Sequence, residues 1–200
     1  MFALVESGSI TKMLNGRRGI TIGDIQHPQQ IFTLWTESER NAIGIYTVEM
    51  DVSKRKDDKW YINTNITYTF SGGKVTGSYG DATARAHADT LYTAQDETDG
   101  LGTEGDVKAE GLKTILIRQV KNEAKGELNR TDWYVVRKAE EDTAIPSAIT
   151  THRKSVRSKQ AEMETAITNA SDTPALETLY TYTEQEDGTS ARPLGEIPNL

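Results

Sequence analysis

The sequence predicts an α+β protein, with an N-terminal antiparallel β part followed by a C-terminal helical part. Two observations predict this fold class. In the first half, apolar residues alternate with polar residues, and glycine-containing turns separate the alternating runs. In the second half, apolar residues recur every three or four positions, which is the spacing of amphipathic helices. The change of period therefore divides the chain into a β-rich part and a helical part.

The β-rich part contains several alternating runs that predict strands. In chain order these runs are 2–5, 10–13, 46–52, 60–70 and 74–79. Gly8 predicts the turn of the first hairpin, and Gly72 and Gly73 predict the turn of the last. Residues 14–34 carry scattered glycines without a period and are predicted to be mostly loop. After Tyr79 the spacing changes, and Asp81 is predicted to begin a helix over the segment DATARAHADTLYTA.

The helical part is predicted from one long apolar stripe and two helix start signals. A stripe from Leu112 to Leu128 predicts a helix that ends near Asn129. Pro146 suits the first turn of a second helix, and Asp172 with Pro174 begins a third. The predicted organisation is a β-rich domain with a terminal helix, an acidic Gly-rich linker, a helical region and an extended tail, at 1–95, 96–111, 112–183 and 184–200.

Composition excludes several kinds of chemistry. The chain of 200 residues has no cysteine, so disulfides, thiolate metal sites and cysteine nucleophiles are excluded. The net charge of −7 argues against nucleic acid or an anionic membrane as a partner. The N-terminus lacks the basic and apolar regions of a signal peptide, and no stretch reaches the ~20 apolar residues of a membrane span.

No catalytic, cofactor or metal site is predicted. The acidic segment QDETDGLGTEGD lacks the ligand spacing of a calcium loop, and SGGKVTG fits a hairpin turn better than a phosphate loop. His27, His87 and His152 are scattered, without a second ligand at metal-binding spacing. We therefore expect no cofactor and no enzymatic activity.

The segment Thr131-Asp132-Trp133 follows directly on the end of the first long helix. It is explained locally as a corner between two helices, in which Thr131 or Asp132 caps the next turn. In this interpretation Trp133 is a structural anchor that folds onto the helix pair. The basic run from His152 to Lys159 is interpreted as a solvated helix face with local ion pairs.

These residues also resemble a known family. The order Leu128, Thr131-Asp132-Trp133, an acidic gap and then His152-Arg153 with Val156 and Arg157 resembles the C-terminal part of tail fibre assembly proteins and related tail (baseplate) proteins of tailed bacteriophages. The opening MFALVESGSITK, the later Trp35 and Gly44-Ile-Tyr46-Thr-Val48, and the segment YTFSGGKVTGSY resemble N-terminal and middle segments of such proteins.

The resemblance implies a non-enzymatic structural component of the phage tail, at the baseplate or fibre attachment. Its implied partners are other tail, baseplate or fibre proteins, within a multimeric assembly and without nucleic acid or membrane. The implied location is the virion tail, with the host cytoplasm during assembly. Two alternatives stay open: a chaperone for tail fibre assembly, and a phage hydrolase, for which the sequence supplies no catalytic constellation.

The last residues, 184–200, are predicted to form an extended arm. Their prolines and glycines disfavour regular structure, and their apolar residues are too few for a core. Either a neighbouring chain or the body of the protein must then supply their contacts. We favour a neighbouring chain and expect Leu194, Ile197 and Leu200 to bind it.

Overall fold

A computed structural model describes all residues from Met1 to Leu200 and confirms the α+β fold class. The chain divides into two compact units, Met1–Thr83 and Ala84–Leu200. The predicted linker, 96–111, lies inside the second unit, where it contains part of a short helix and one short strand. None of the helices is both long and apolar enough to cross a membrane.

The first unit is built mainly of strands. Its elements in chain order are β1 (Phe2–Glu6), β2 (Ser9–Leu14), β3 (Ile20–Ile22), β4 (Ile25–His27), a 3-10 turn (Gln29–Phe32), α1 (Glu37–Ala42), β5 (Ile45–Asp51), β6 (Tyr61–Ile62), β7 (Ile66–Ser71) and β8 (Lys74–Tyr79). The strand β9 (Thr83–Ala84) lies at the boundary between the units.

The main sheet has five strands in the order β2-β1-β5-β8-β7. The β1–β2 and β7–β8 hairpins confirm the two predicted from Gly8 and from Gly72-Gly73, and all three glycines have positive φ. A parallel pairing of β5 with β8 joins the hairpins, so the sheet is mixed and not purely antiparallel. One face buries Ala3, Val5 and Val75, and the other packs on a second cluster (Leu4, Ile20, Ile31, Phe32 and Ile45).

Two predictions in this unit are only partly right. Residues 14–34 contain the β3–β4 hairpin and a 3-10 turn, and they bury Ile20, Ile31 and Phe32, because isolated apolar residues among glycines still pack under the sheet. The single strand predicted from Trp60 to Phe70 is interrupted. Asn65 adopts a left-handed conformation with φ 64°, and the Asn63 side chain hydrogen-bonds the backbone of Lys56, so local side-chain bonds outcompete the strand there.

The second unit is largely helical. Its elements are β10 (Thr90–Leu91), α2 (Ala94–Thr98), β11 (Val107–Ala109), α3 (Leu112–Asn129), α4 (Asp132–Glu141), α5 (Ser147–Asn169), α6 (Thr173–Tyr180), β12 (Thr183–Glu184) and β13 (Ser190–Ala191). The three predicted helix starts are confirmed: α3 begins at Leu112, Pro146 precedes α5, and the Asp172 side chain caps α6 by accepting a hydrogen bond from the Ala175 amide.

The core of this unit lies between α3 and α5, which pack along their lengths. Four positions of the predicted stripe on α3 are buried, and they recur every four residues as one face of a helix requires: Leu112, Leu116, Val120 and Ala124. The fully buried apolar residues are Leu116, Val120 and Ala124 from α3, Val156, Met163 and Ile167 from α5, Leu176 from α6, and Leu194 from the C-terminal segment.

The prediction of a helix that begins at Asp81 is wrong. This segment contains the short strands β9 and β10, and its backbone carbonyls accept hydrogen bonds from amides at the start of α3. The carbonyls of Ala86 and His87 accept hydrogen bonds from the amides of Leu112 and Lys113, and the Asp89 carboxylate accepts from the amide of Gly111. These bonds satisfy amide groups at the start of α3 that have no partner within the helix, which favours an extended segment over a helix.

The predicted C-terminal arm is also wrong in one essential respect. Residues 183–191 form the β12–β13 hairpin, and Leu194 is only 2% exposed within its own chain. Its amide donates to the carbonyl of Leu179. The segment has too few apolar residues for a core of its own, but Leu194 needs none, because it completes a core that the helices already provide. Ile197 is half-buried and Leu200 is 57% exposed.

Candidate functional site

The candidate site is the corner where α3 ends and α4 begins. α3 ends at Asn129, and Arg130 continues in a right-handed conformation. Thr131 is fully buried, and both its amide and its hydroxyl donate to the carbonyl of Leu128 at 3.0 Å. A threonine can make this double contact because its hydroxyl reaches back to a carbonyl three residues earlier. The turn is therefore tight and fixed by the side chain of Thr131.

Arg153, on α5, joins the parts of this corner. Its guanidinium donates to the Leu128 carbonyl at 2.8 Å and to the Thr131 hydroxyl at 2.7 Å, and it forms an ion pair with Asp132 at 2.9 Å. These three acceptors belong to the end of α3, the turn and the first residue of α4. One planar cation with several donors thereby fixes the direction in which α4 leaves the α3–α5 pair.

The interpretation of the basic run as a solvated face is therefore wrong for Arg153, which is 8% exposed. The spacing of Arg153 in the sequence indicates this burial. Arg153 lies four residues after Ile149 and three before Val156, on the buried stripe of α5. A charged residue on an apolar stripe is buried only when acceptors meet it, and here the corner supplies them.

A second carboxylate, Glu127, lies beside the corner and is 8% exposed. It accepts hydrogen bonds from Arg130 at 2.8 Å and from the backbone amide of Leu200 at 2.9 Å, and its Oε1 lies 3.0 Å from Nε2 of His152. The hydrogen bond from Arg130 is the largest cause that holds the pKa of Glu127 below its ordinary value of 4.5, while burial opposes it. Glu127 thus links α3, α5 and the C-terminal segment.

This lowered pKa predicts a pH dependence. A carboxyl group with a lower pKa in the folded state stabilises the fold above its unfolded-state pKa, and that stability is lost as the pH falls through the folded-state pKa. We expect acid destabilisation below about pH 4.5 to be weaker in Glu127→Gln than in the unmodified protein. Urea unfolding midpoints across an acid pH series measure it, and parallel pH profiles for the two proteins would contradict the assignment.

α4 itself has no buried residue, although it is amphipathic. Trp133 is 51% exposed, Val135 42% and Val136 52%. The rings of Trp133 and Tyr134 lie 3.8 Å apart, and the guanidinium carbon of Arg137 lies 4.8 Å from the Trp133 ring centre. We call Trp133, Tyr134, Val136 and Arg137 the α4 surface.

The prediction that Trp133 anchors the helix pair is therefore wrong. The corner is closed by Thr131 and Arg153, and the indole ring turns outward, where it stacks with Tyr134 and Arg137. Sequence alone could not choose between Thr131 and Trp133 as the buried member of the motif. A large ring is the usual anchor, but the polar acceptors of this corner require a small hydroxyl at the centre.

The exposure of Trp133 leads to a prediction about stability. We expect Trp133→Ala to change the free energy of unfolding by less than about 1 kcal/mol, because surface substitutions have small effects. Equilibrium urea unfolding of the variant measures the difference. A loss of about 3 kcal/mol or more, the range for a buried Trp, would show that the ring belongs to the core in solution.

The structure does not bring the predicted partner-binding residues into one surface. Leu194 is buried in the helical core, Ile197 is half-buried, and Leu200 is exposed beside Glu127. No group of His, Asp or Glu side chains is arranged to hold a metal ion. Comparisons of the chain with protein-family models, curated proteins and solved structures found no match.

Proposed function

We propose that the chain is a non-enzymatic structural component of a bacteriophage tail, at the baseplate or fibre attachment, and that it mediates protein–protein contacts in the virion. The observation that carries the proposal is the α4 surface, an exposed apolar and aromatic face on a helix with no buried residue. Trp, Tyr and Arg are the residue types that contribute most to binding energy at protein interfaces, and this surface contains one of each.

The rigid attachment of α4 supports the same proposal. Arg153 binds the Leu128 carbonyl, Thr131 and Asp132, which are residues of the segment that resembles tail proteins. A surface held in one orientation loses less conformational freedom on binding than a mobile one, so more of its contact energy becomes affinity. The motif residues thus have a physical role in presenting a docking helix.

Mass spectrometry of purified phage particles tests the proposal. We expect peptides of this chain to be present in amounts comparable to those of tail proteins. In particles grown with Trp133→Ala, the chain should be depleted, whereas Leu34→Ala, which removes another exposed apolar side chain, should leave incorporation unchanged.

The same experiment addresses the chaperone alternative, which the exposed α4 surface also favours, because chaperones cover apolar surfaces of their clients. A chain that is abundant in the infected cell, binds a fibre protein there and is absent from particles would replace the structural role with a chaperone role. A chain that is absent from particles and binds no tail or fibre protein would contradict both.

A further inference from the structure

The first unit contains a cavity between β2 and β3. Its volume is about 410 Å³, which falls within the range of small-molecule sites in proteins. Leu14, Ile20 and Phe32 line its apolar part. Lys12, from β2, and Arg18, from the loop that joins β2 to β3, line it as well. The cavity therefore offers apolar side chains and basic side chains to the same ligand.

The charge at this cavity is positive. Lys12 and Arg18 are both exposed, and no Asp or Glu lines the cavity. Neither cation forms an ion pair within the chain. Residues 7–23 contain three basic residues and no acidic residue, although the whole chain has a net charge of −7. The cavity is thus a local site of unpaired positive charge, which favours an anionic ligand.

The loop that carries Arg18 is fixed on both sides of this residue. Gly16 adopts a positive φ of 69°, and its carbonyl accepts a hydrogen bond from the side chain of Gln29 at 3.0 Å. Gly19 lies so close to β4 that a Cβ atom there would be 2.6 Å from the carbonyl oxygen of His27. A cation on a fixed backbone loses less conformational freedom when it binds, so more of its contact energy becomes affinity.

The two cations differ in the way they bind anions. An arginine can donate two parallel hydrogen bonds to a carboxylate or a phosphate, whereas a lysine acts as a point charge. A phosphate monoester carries a charge of about −1.5 to −2 at neutral pH and has three acceptor oxygens, so it can meet both side chains. A carboxylate or a phosphodiester carries a single negative charge and would leave one cation uncompensated. Lys12 and Arg18 together therefore favour a phosphate monoester.

We propose that this cavity binds a small molecule that carries a phosphate monoester on an apolar group. Lys12 and Arg18 donate hydrogen bonds to the phosphate oxygens, and the apolar group contacts the side chains of Leu14, Ile20 and Phe32. This inference does not rest on the proposed role in the tail, because α4 belongs to the other unit and contributes nothing to the cavity.

Isothermal titration calorimetry of the purified full chain with phenyl phosphate tests the site, in a buffer without phosphate and at an ionic strength of about 0.15 M. Phenyl phosphate combines a phosphate monoester with an apolar ring. We expect it to bind about tenfold more tightly than benzoate, which has the same ring and one negative charge. Inorganic phosphate should also bind more weakly than phenyl phosphate, because it has no apolar group to bury.

Arg18→Gln and Lys12→Gln should each weaken the binding of phenyl phosphate about tenfold, because each removes a hydrogen bond between charged groups. Arg18→Lys should be intermediate, since it keeps the charge and loses the second donor of the guanidinium. The matched control is Arg17→Gln, which removes the neighbouring positive charge from outside the cavity lining and should change the affinity less than about threefold. Circular dichroism of each variant verifies that it is folded.

A short peptide with one phosphotyrosine separates a free small molecule from a phosphorylated protein as the ligand. We expect the peptide to bind no more tightly than phenyl phosphate, whereas binding about tenfold tighter would make a phosphorylated protein the ligand and overturn the inference.

Three further results would overturn it. The unmodified chain would fail to bind phenyl phosphate at concentrations up to about 10 mM. Benzoate would bind as tightly as phenyl phosphate, so that the second negative charge has no role. Arg17→Gln would weaken binding as much as Arg18→Gln, which would show a general attraction of anions to the basic segment in place of a defined site.

Discussion

Replacing Leu194 by Ala is expected to lower the free energy of unfolding by about 2–5 kcal/mol, the range for truncating a large buried aliphatic side chain. Leu194 is 2% exposed, and its amide donates to the carbonyl of Leu179, so its side chain and its backbone both join the C-terminal segment to the helices. Equilibrium urea unfolding, followed by circular dichroism, measures the loss.

The matched control is Leu200→Ala, which removes the same side chain six residues later at a position that is 57% exposed. It should change the free energy of unfolding by less than about 0.5 kcal/mol. Equal effects of the two substitutions would mean that Leu194 is not buried in solution and that the C-terminal segment is free. Removal of residues 184–200 should destabilise the chain as well, since it removes Leu194.

Replacing Arg153 by Ala is expected to lower the free energy of unfolding by about 2–3 kcal/mol. Hydrogen bonds to charged groups contribute about 1.5–3 kcal/mol, and the buried Thr131 hydroxyl would lose its donor. The ion pair with Asp132 adds little, because the carboxylate is 51% exposed. Arg153→Lys should be intermediate, since a single ammonium group cannot reproduce the spread of donors that the guanidinium provides.

The control for Arg153 is Arg157→Ala, one turn later on the exposed side of the same helix. We expect it to change the free energy of unfolding by less than about 0.5 kcal/mol. Near-ultraviolet circular dichroism of Arg153→Ala should also lose signal from Trp133 and Tyr134, because α4 is then no longer held in one direction. An unchanged stability and spectrum would show that the corner is fixed without Arg153.

Local patterns predicted much of this fold. The hairpin glycines, the stripe on α3 and the Asp172 cap each act over a few residues, so the sequence contains their cause directly. The segment after Asp81 has the apolar spacing of a helix, but its backbone accepts hydrogen bonds from Leu112 and Lys113, more than twenty residues later in the chain. No local pattern contains that contact.

At the candidate site, too, local patterns predicted one part and missed the part that depends on distant contacts. The sequence singled out Thr131, Asp132 and Trp133 and placed a helix corner there, and a corner is present. The sequence predicted Trp133 as the anchor, because hydrophobicity alone favours the burial of a large ring. The burial of Thr131 depends on the acceptors and donors that converge on it from α3 and α5, which only the tertiary structure supplies.

The contact between Leu200 and Glu127 has a consequence for labelling. Leu200 contributes its backbone amide, so residues that follow it leave this hydrogen bond in place. A fluorophore attached after Leu200 would lie next to Glu127 and His152, at the end of α3 from which α4 departs. Such a label would report on binding at α4 through changes in emission while leaving the docking helix itself unmodified.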